Sequence, residues 1–153
     1  MIKRLVKNER GLTLIELLAV IVILGIIAAI AIPAIGGLID NSKKDAHVSN
    51  AQQMINATKI AVTSDKDLIP QNSKSKTIKL SQLEGDGYLE AVKDPDKTQG
   101  GYDTDKSYVR ITNNNNKLSY SVKLINAERG VQTVNGGPVS EDNLKRSEVR
   151  KNP

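Results

Sequence analysis

Residues 12–39 read LTLIELLAVIVILGIIAAIAIPAIGGLI, a run of 28 residues in which Glu16 is the single charge. As a helix rising about 1.5 Å per residue this run is ~42 Å long, more than the ~30 Å hydrocarbon core of a bilayer. It is followed by weaker but regular periodicity. Val48, Ala51, Ile55, Thr58 and Val62 recur at spacings of three and four, with Met54 and Ala61 beside them. That stripe predicts that the helix continues to about Ser64 as an amphipathic rod. Lys44, Asn50, Gln53 and Lys59 fall on its other face, and His47 reads as a solvated or inter-subunit side chain.

Charge at the flanks orients the run. Residues 1–11 hold Lys3, Arg4, Lys7 and Arg10 against Glu9, whereas Asp40, Lys43, Lys44 and Asp45 cancel on the far side. Positive flanks stay in the cytoplasm, so the short N-terminus is expected inside and the remainder outside. Of the formal net charge of +5, a net +3 lies in the first eleven residues. The basic balance is therefore mostly leader, and no nucleic-acid partner is expected from it. A conventional secretory signal fits poorly, because Glu16 interrupts the apolar run and the run continues past Ala29-Ile30-Ala31, the one A-x-A-like cut site.

Composition narrows the function classes. The 153 residues contain no Cys and one His, which removes thiolate nucleophiles, disulfides and two-His zinc helices. No Ser/His/Asp triad can be drawn, since the only His lies beside the apolar run, and the chain reads as no enzyme. Asp94, Asp96, Asp103 and Asp105 offer carboxylates close together, either for ordinary turn chemistry or for a structural calcium ion, but the closing Glu of an EF-hand is absent. The expectation is no metal and no cofactor. From Thr63 onward 22 residues are Val, Ile, Leu or Tyr, a thin core that needs the helix to pack on.

The head reads as loop, short helix, then strands. Asp65 to Lys76 is polar and predicted irregular. Ser81-Gln82-Leu83-Glu84 has the form of a capping box that opens a helical turn ended by Gly85 and Gly87, with Tyr88 and Leu89 anchoring it. Tyr108–Thr112 and Leu118–Leu124 alternate with period two and are joined by Asn113–Asn116, a turn-forming run. Val131–Val134 reads as a third strand. From Asn135 only Val139, Leu144 and Val149 are large and apolar, which predicts a surface flap, with Ser140 capping a turn near Leu144.

Lys7-Asn8-Glu9-Arg10-Gly11-Leu12-Thr13-Leu14-Ile15-Glu16 resembles the class III signal of type IV pilins and pseudopilins. The resemblance implies cleavage of Gly11–Leu12 by a prepilin peptidase and N-methylation of Leu12, although the family most often has Phe at that position. It also implies assembly through Glu16, whose carboxylate would neutralise the N-terminal amine of a neighbouring subunit; read on its own, Glu16 would simply snorkel to the interface. Pro33 falls where the family usually has a proline, and with Gly36 and Gly37 it marks either a segment that loosens during assembly or a static kink. Gly87-Tyr88-Leu89 followed by Asp94-Pro95 is similar to a segment of Gram-positive pilins and major pseudopilins.

The expected fold is therefore α+β and pilin-like, a long N-terminal helix packed on a small antiparallel sheet. The expected divisions are a leader at 1–11, a transmembrane and assembly segment at 12–39, an amphipathic segment at 40–64 and a head at 65–153. The implied partners are the chain itself in a helical homopolymer, the peptidase, an assembly platform and the membrane. The expected location is a single-pass membrane protein that moves into an extracellular filament. The implied function is a structural subunit of a type IV pilus or related filament. The alternatives are a secretion or competence pseudopilin and, in a different class, a membrane-anchored binding module.

Overall fold

The computed structural model describes residues 11–153, so the basic flank at 1–10 lies outside the described residues. Helix α1 runs from Leu14 to Ser64. At its far end the hydroxyls of Thr63 and Ser64 turn back to the carbonyls of Lys59 and Ile60, at 2.9 and 3.2 Å. Asp65 then caps a single 3-10 turn, Lys66–Leu68, by accepting from the Asp67 amide at 2.9 Å. Pro33 does not interrupt α1, which is helical on both sides of it. Proline lacks the N–H that would bond the carbonyl of Ala29, so one helical hydrogen bond is missing there while the helix continues.

The chain divides into two compact units that meet at Ile39 and Asp40. In the first unit the large apolar side chains from Leu12 to Ile39 are all exposed, and the helix is long and apolar enough to cross a membrane.

In the second unit the C-terminal half of α1 lies on an antiparallel six-stranded sheet. Its strands are β1 (Ser75–Lys79), β2 (Tyr108–Asn114), β3 (Lys117–Ile125), β4 (Arg129–Val131), β5 (Val139–Ser140) and β6 (Val149–Lys151), and helix α2 (Leu80–Gly85) follows β1. The order is β1-β2-β3-β4-β6, with β5 pairing to β3. Ala51, Met54, Ile55, Ala57, Thr58, Ala61 and Val62 are buried along α1. They meet Ile78, Val109, Ile111, Val122, Leu124 and Val131 from the sheet. Strand periodicity supplies this face, with Val109, Ile111 and Asn113 inward and Tyr108, Arg110 and Thr112 outward. The β2–β3 turn places Asn115 and Asn116 at φ of 53° and 64°, the left-handed region that Asn tolerates.

Several local expectations are corrected. Residues 65–76 are not wholly irregular, because Ser75 opens β1, an edge strand whose only buried side chain is Ile78. Helix α2 begins at Leu80, one residue before the expected cap at Ser81. The Gln82 carbonyl, not a Ser hydroxyl, closes its first turn by accepting from the Lys79 amide at 3.0 Å. The third strand is Arg129–Val131, not Val131–Val134, and Val134 is 71% exposed. Gly130 sits inside that strand because a Cβ there would lie 1.9 Å from the Leu124 carbonyl oxygen. The tail is not a surface flap. Val139 and Val149 are buried, and β5 and β6 pair with β3 and β4. Ser140 precedes a 3-10 turn but its hydroxyl makes no capping bond.

Candidate processing and assembly site

Gly11, Leu12 and Thr13 precede the helix and are exposed. Among the described residues, nothing beyond its chain neighbours comes within 4 Å of where a Gly11 Cβ would stand. The scissile bond expected between Gly11 and Leu12 is thus in open, non-helical chain, the form a peptidase can grip. Thr13 is the residue just before α1, and it forms a reciprocal pair with Glu16. The Thr13 amide donates to Glu16 Oε2 at 2.8 Å and its hydroxyl lies 3.0 Å from the same oxygen, while the Glu16 amide meets Thr13 Oγ1 at 3.3 Å. Thr-Leu-Ile-Glu is a capping box, in which each side chain satisfies the other residue's orphan amide. The T-x-x-E spacing is visible in the sequence, and the capping role it gives Glu16 stands beside the expected roles of amine partner and interfacial carboxylate. Gly25, Pro33, Gly36 and Gly37 lie within α1, and the added Cβ of none of the three glycines would meet another atom.

A second polar centre lies in the other unit, and there the sequence reading of His47 is overturned. His47 is fully buried. Its Nε2 is 2.7 Å from Asp96 Oδ2 and its Nδ1 is 2.7 Å from the Tyr102 hydroxyl, with the two rings edge to face at 5.5 Å. Asn50 Nδ2 donates to the Tyr102 oxygen at 3.1 Å, which leaves that hydroxyl to donate to Nδ1 and the Nε2–H to donate to Asp96. Arg129 completes the cluster. Its Nε and Nη2 reach Asp96 at 2.8 and 2.6 Å, and its Nη1 reaches Asp40 at 2.8 Å. Asn126 Nδ2 donates to both Asp94 and Asp96, at 3.0 and 3.1 Å.

These contacts order the charges. The Arg129 guanidinium, helped by His47 and Asn126, holds the Asp96 carboxyl far below the usual carboxylate range against the opposing effect of burial. Asp96 and Asp40 in turn raise Arg129. Burial pushes the Tyr102 hydroxyl well above its ordinary value. Asp94 is pushed up by burial, but the hydroxyl of Thr98 and the amide of Asn126 outweigh this and lower it.

The four aspartates considered for calcium separate. Asp103 closes a turn by accepting from the Asp105 and Lys106 amides, at 3.1 and 2.9 Å. Asp94 and Asp96 instead join His47 as three potential ligands whose atoms lie within 4.8 Å of one another. Arg129 and Asn126 already donate to those carboxylate oxygens, so a cation there would have to displace a guanidinium. The arrangement is that of a structural clamp linking α1, the 94–102 loop and the β3–β4 turn.

Comparison with known families bears on the N-terminus. Residues 6–32 match the family model described as the prokaryotic N-terminal methylation motif. The chain carries a type IV pilin signal. The motif is that of a type IV pilin-like precursor, and it implies cleavage by a prepilin peptidase. No curated protein and no solved structure matches the chain.

Proposed function

We propose that the chain is a structural subunit of a type IV pilus or pilus-like filament, with secretion and competence pseudopili as narrower forms of the same role. The carrying observation is the exposed apolar part of α1, up to Ile39, whose sole carboxylate, Glu16, sits in the first turn beside Thr13. In the proposed sequence of events the basic flank keeps the N-terminus cytoplasmic and the head crosses to the outside. Hydrolysis of the Gly11–Leu12 amide leaves Leu12 with a free amine, which is then N-methylated and remains basic. Before assembly one Glu16 oxygen, Oε2, accepts from the neutral donors of its own Thr13. A cationic amine from a neighbouring subunit is a stronger partner, because charge-assisted hydrogen bonds are roughly twice as strong as neutral ones. Exchange of Thr13 for that amine, in surroundings where an unpaired carboxylate is costly, gives assembly both driving force and register.

Cells that express only the Glu16→Ala protein test this reading. Mature protein starting at Leu12 is expected in the membrane fraction, with none in material sheared from the surface. A sheared yield equal to that of the unmodified protein would leave Glu16 without a role in assembly and favour a membrane-anchored module.

A further inference from the structure

The cations of the head are dispersed among carboxylates along the sequence, but the strands sort them by face. Lys79, Tyr108 and Lys123 are cross-strand partners in one row over β1, β2 and β3. Neighbouring strands lie about 4.8 Å apart, so the row spans about 10 Å. Arg110 stands two residues from Tyr108 on the same outward face, about 7 Å along the strand, with its guanidinium 5.8 Å from the centre of the Tyr108 ring. Ser75, Thr77, Thr112, Ser119 and Ser121 share this face as unburied hydroxyls, with Asn114 and a further cation, Lys117, at its far end and the buried Ile125 beyond Lys123. The outward positions of the three strands include no Asp or Glu. Asp105, at the rim, lies 3.8 Å from Lys79. Arg110 and Lys123 have no ion-pair partner among the described residues, whereas Arg129, Arg146 and Lys59 are each held by a carboxylate.

We infer that this outer sheet face binds single-stranded nucleic acid, with phosphates on Lys79, Arg110 and Lys123 and a base against the Tyr108 ring. Two free cations, beside a third that Asp105 approaches from the rim, match a polyanion, and the hydroxyls can donate to phosphate oxygens. The aromatic ring set between cations separates a nucleic acid from other polyanions, since base stacking on an aromatic is tolerant of sequence while phosphate contacts supply the affinity. The period-two alternation of β1, β2 and β3 gathers onto one face cations that are dispersed along the chain. The inference concerns the head alone and does not rest on filament assembly.

The test is fluorescence anisotropy of a labelled oligothymidylate titrated with the full chain in detergent micelles. With three phosphate contacts, raising salt from about 50 to about 200 mM should weaken binding about 20-fold. Arg110→Gln with Lys123→Gln should lose about ten-fold and flatten the salt slope by about 1.4. Tyr108→Ala should lose about five-fold or more with the slope unchanged. Each variant is checked for an unchanged melting temperature, and Lys145→Gln, away from the sheet face, should bind like the parent. Four results would each overturn the inference: no saturable binding at low salt, an unchanged affinity in Tyr108→Ala, a loss in Lys145→Gln equal to that of the double variant, or equal competition by dextran sulfate or duplex DNA.

Discussion

Arg129, the first residue of β4, holds Asp96 with two nitrogens and Asp40 with a third, at 2.6 to 2.8 Å. One guanidinium thus joins the loop after α2 to the residue at which the polar half of α1 begins. The two partners are unequal. The Asp96 side chain is 8% exposed and that of Asp40 is 45% exposed.

Removing the guanidinium should therefore act mainly through Asp96. Arg129→Met leaves a nearly buried carboxylate facing only His47 and Asn126, and breaking a buried pair costs about 3–5 kcal/mol. Asp40→Asn breaks only a half-exposed pair and should cost at most about 1 kcal/mol. Denaturant unfolding of both variants in the same detergent checks the ranking. Equal losses would mean that the Asp40 arm carries as much stability as the Asp96 arm.

Acid should loosen the head for the same reason. Asp96, Asp94, Asp40, Asp45 and Glu141 all lie below their ordinary values in the folded chain, with Arg129, Thr98, Arg146 and Lys59 among the causes. Depressed carboxylates mean that the unfolded chain binds more protons, so their contribution is complete above the unfolded pKa and fades as pH drops below about 5. Stability should fall between about pH 5 and pH 2, and Asp96→Asn should flatten that fall. Thermal melts at several pH values in that range decide it, and a parent and variant with parallel profiles would exclude Asp96 as the main contributor.

Gly11→Val should block processing without disturbing the fold, because the added side chain meets nothing within 4 Å. Mass spectrometry is expected to find residues 1–11 retained on a head of normal melting temperature. A mature N-terminus at Leu12 in that variant would move the cleavage site elsewhere.

Truncation distinguishes the two halves of α1. A fragment beginning at Asp40 keeps Ala51, Met54, Ile55 and Val62 in the core and should fold, whereas one beginning after Ser64 loses all four. Burial of large apolar side chains is worth about 1.5–3 kcal/mol each, enough to leave the shorter fragment unfolded. Matching circular dichroism melts for the two fragments would show that the sheet holds its own core.

Gly130→Ala should be among the most damaging small substitutions. Its Cβ would collide with the backbone of Leu124 and Ile125, at 1.9 and 2.5 Å, where no side-chain rotation can give relief. Poor expression, or a melting temperature lowered well beyond that of Gly85→Ala, is the expected result.

What could be seen in the sequence followed from periodicity. The end of α1 at Ser64 and the Asn-turned hairpin both carry repeating apolar positions, and both stand where the pattern put them. Where a strand has one inward side chain the pattern fails. β1 offers Ile78 alone, β5 offers Val139 and β6 offers Val149, each flanked by polar residues, so all three resembled loop. His47 was misplaced because its partners are distant in sequence, with Asp96 49 residues away and Tyr102 55. No local spacing encodes that cluster. The Thr13–Glu16 pair, by contrast, is encoded locally, in a T-x-x-E spacing that opens the apolar run.

The position of β6 has a consequence for biogenesis. β4 is flanked by β3 on one side and by Val149–Lys151 on the other, so the sheet is completed by residues that follow its other strands in sequence. A polypeptide exported N-terminal helix first, as in the proposed orientation, delivers those residues last. Until they emerge, β4 has an open edge and Val131 lacks the cover of Val149. Pairing of Arg129–Val131 on its second side therefore waits on Val149–Lys151, while the β1-β2-β3 ladder can form without them.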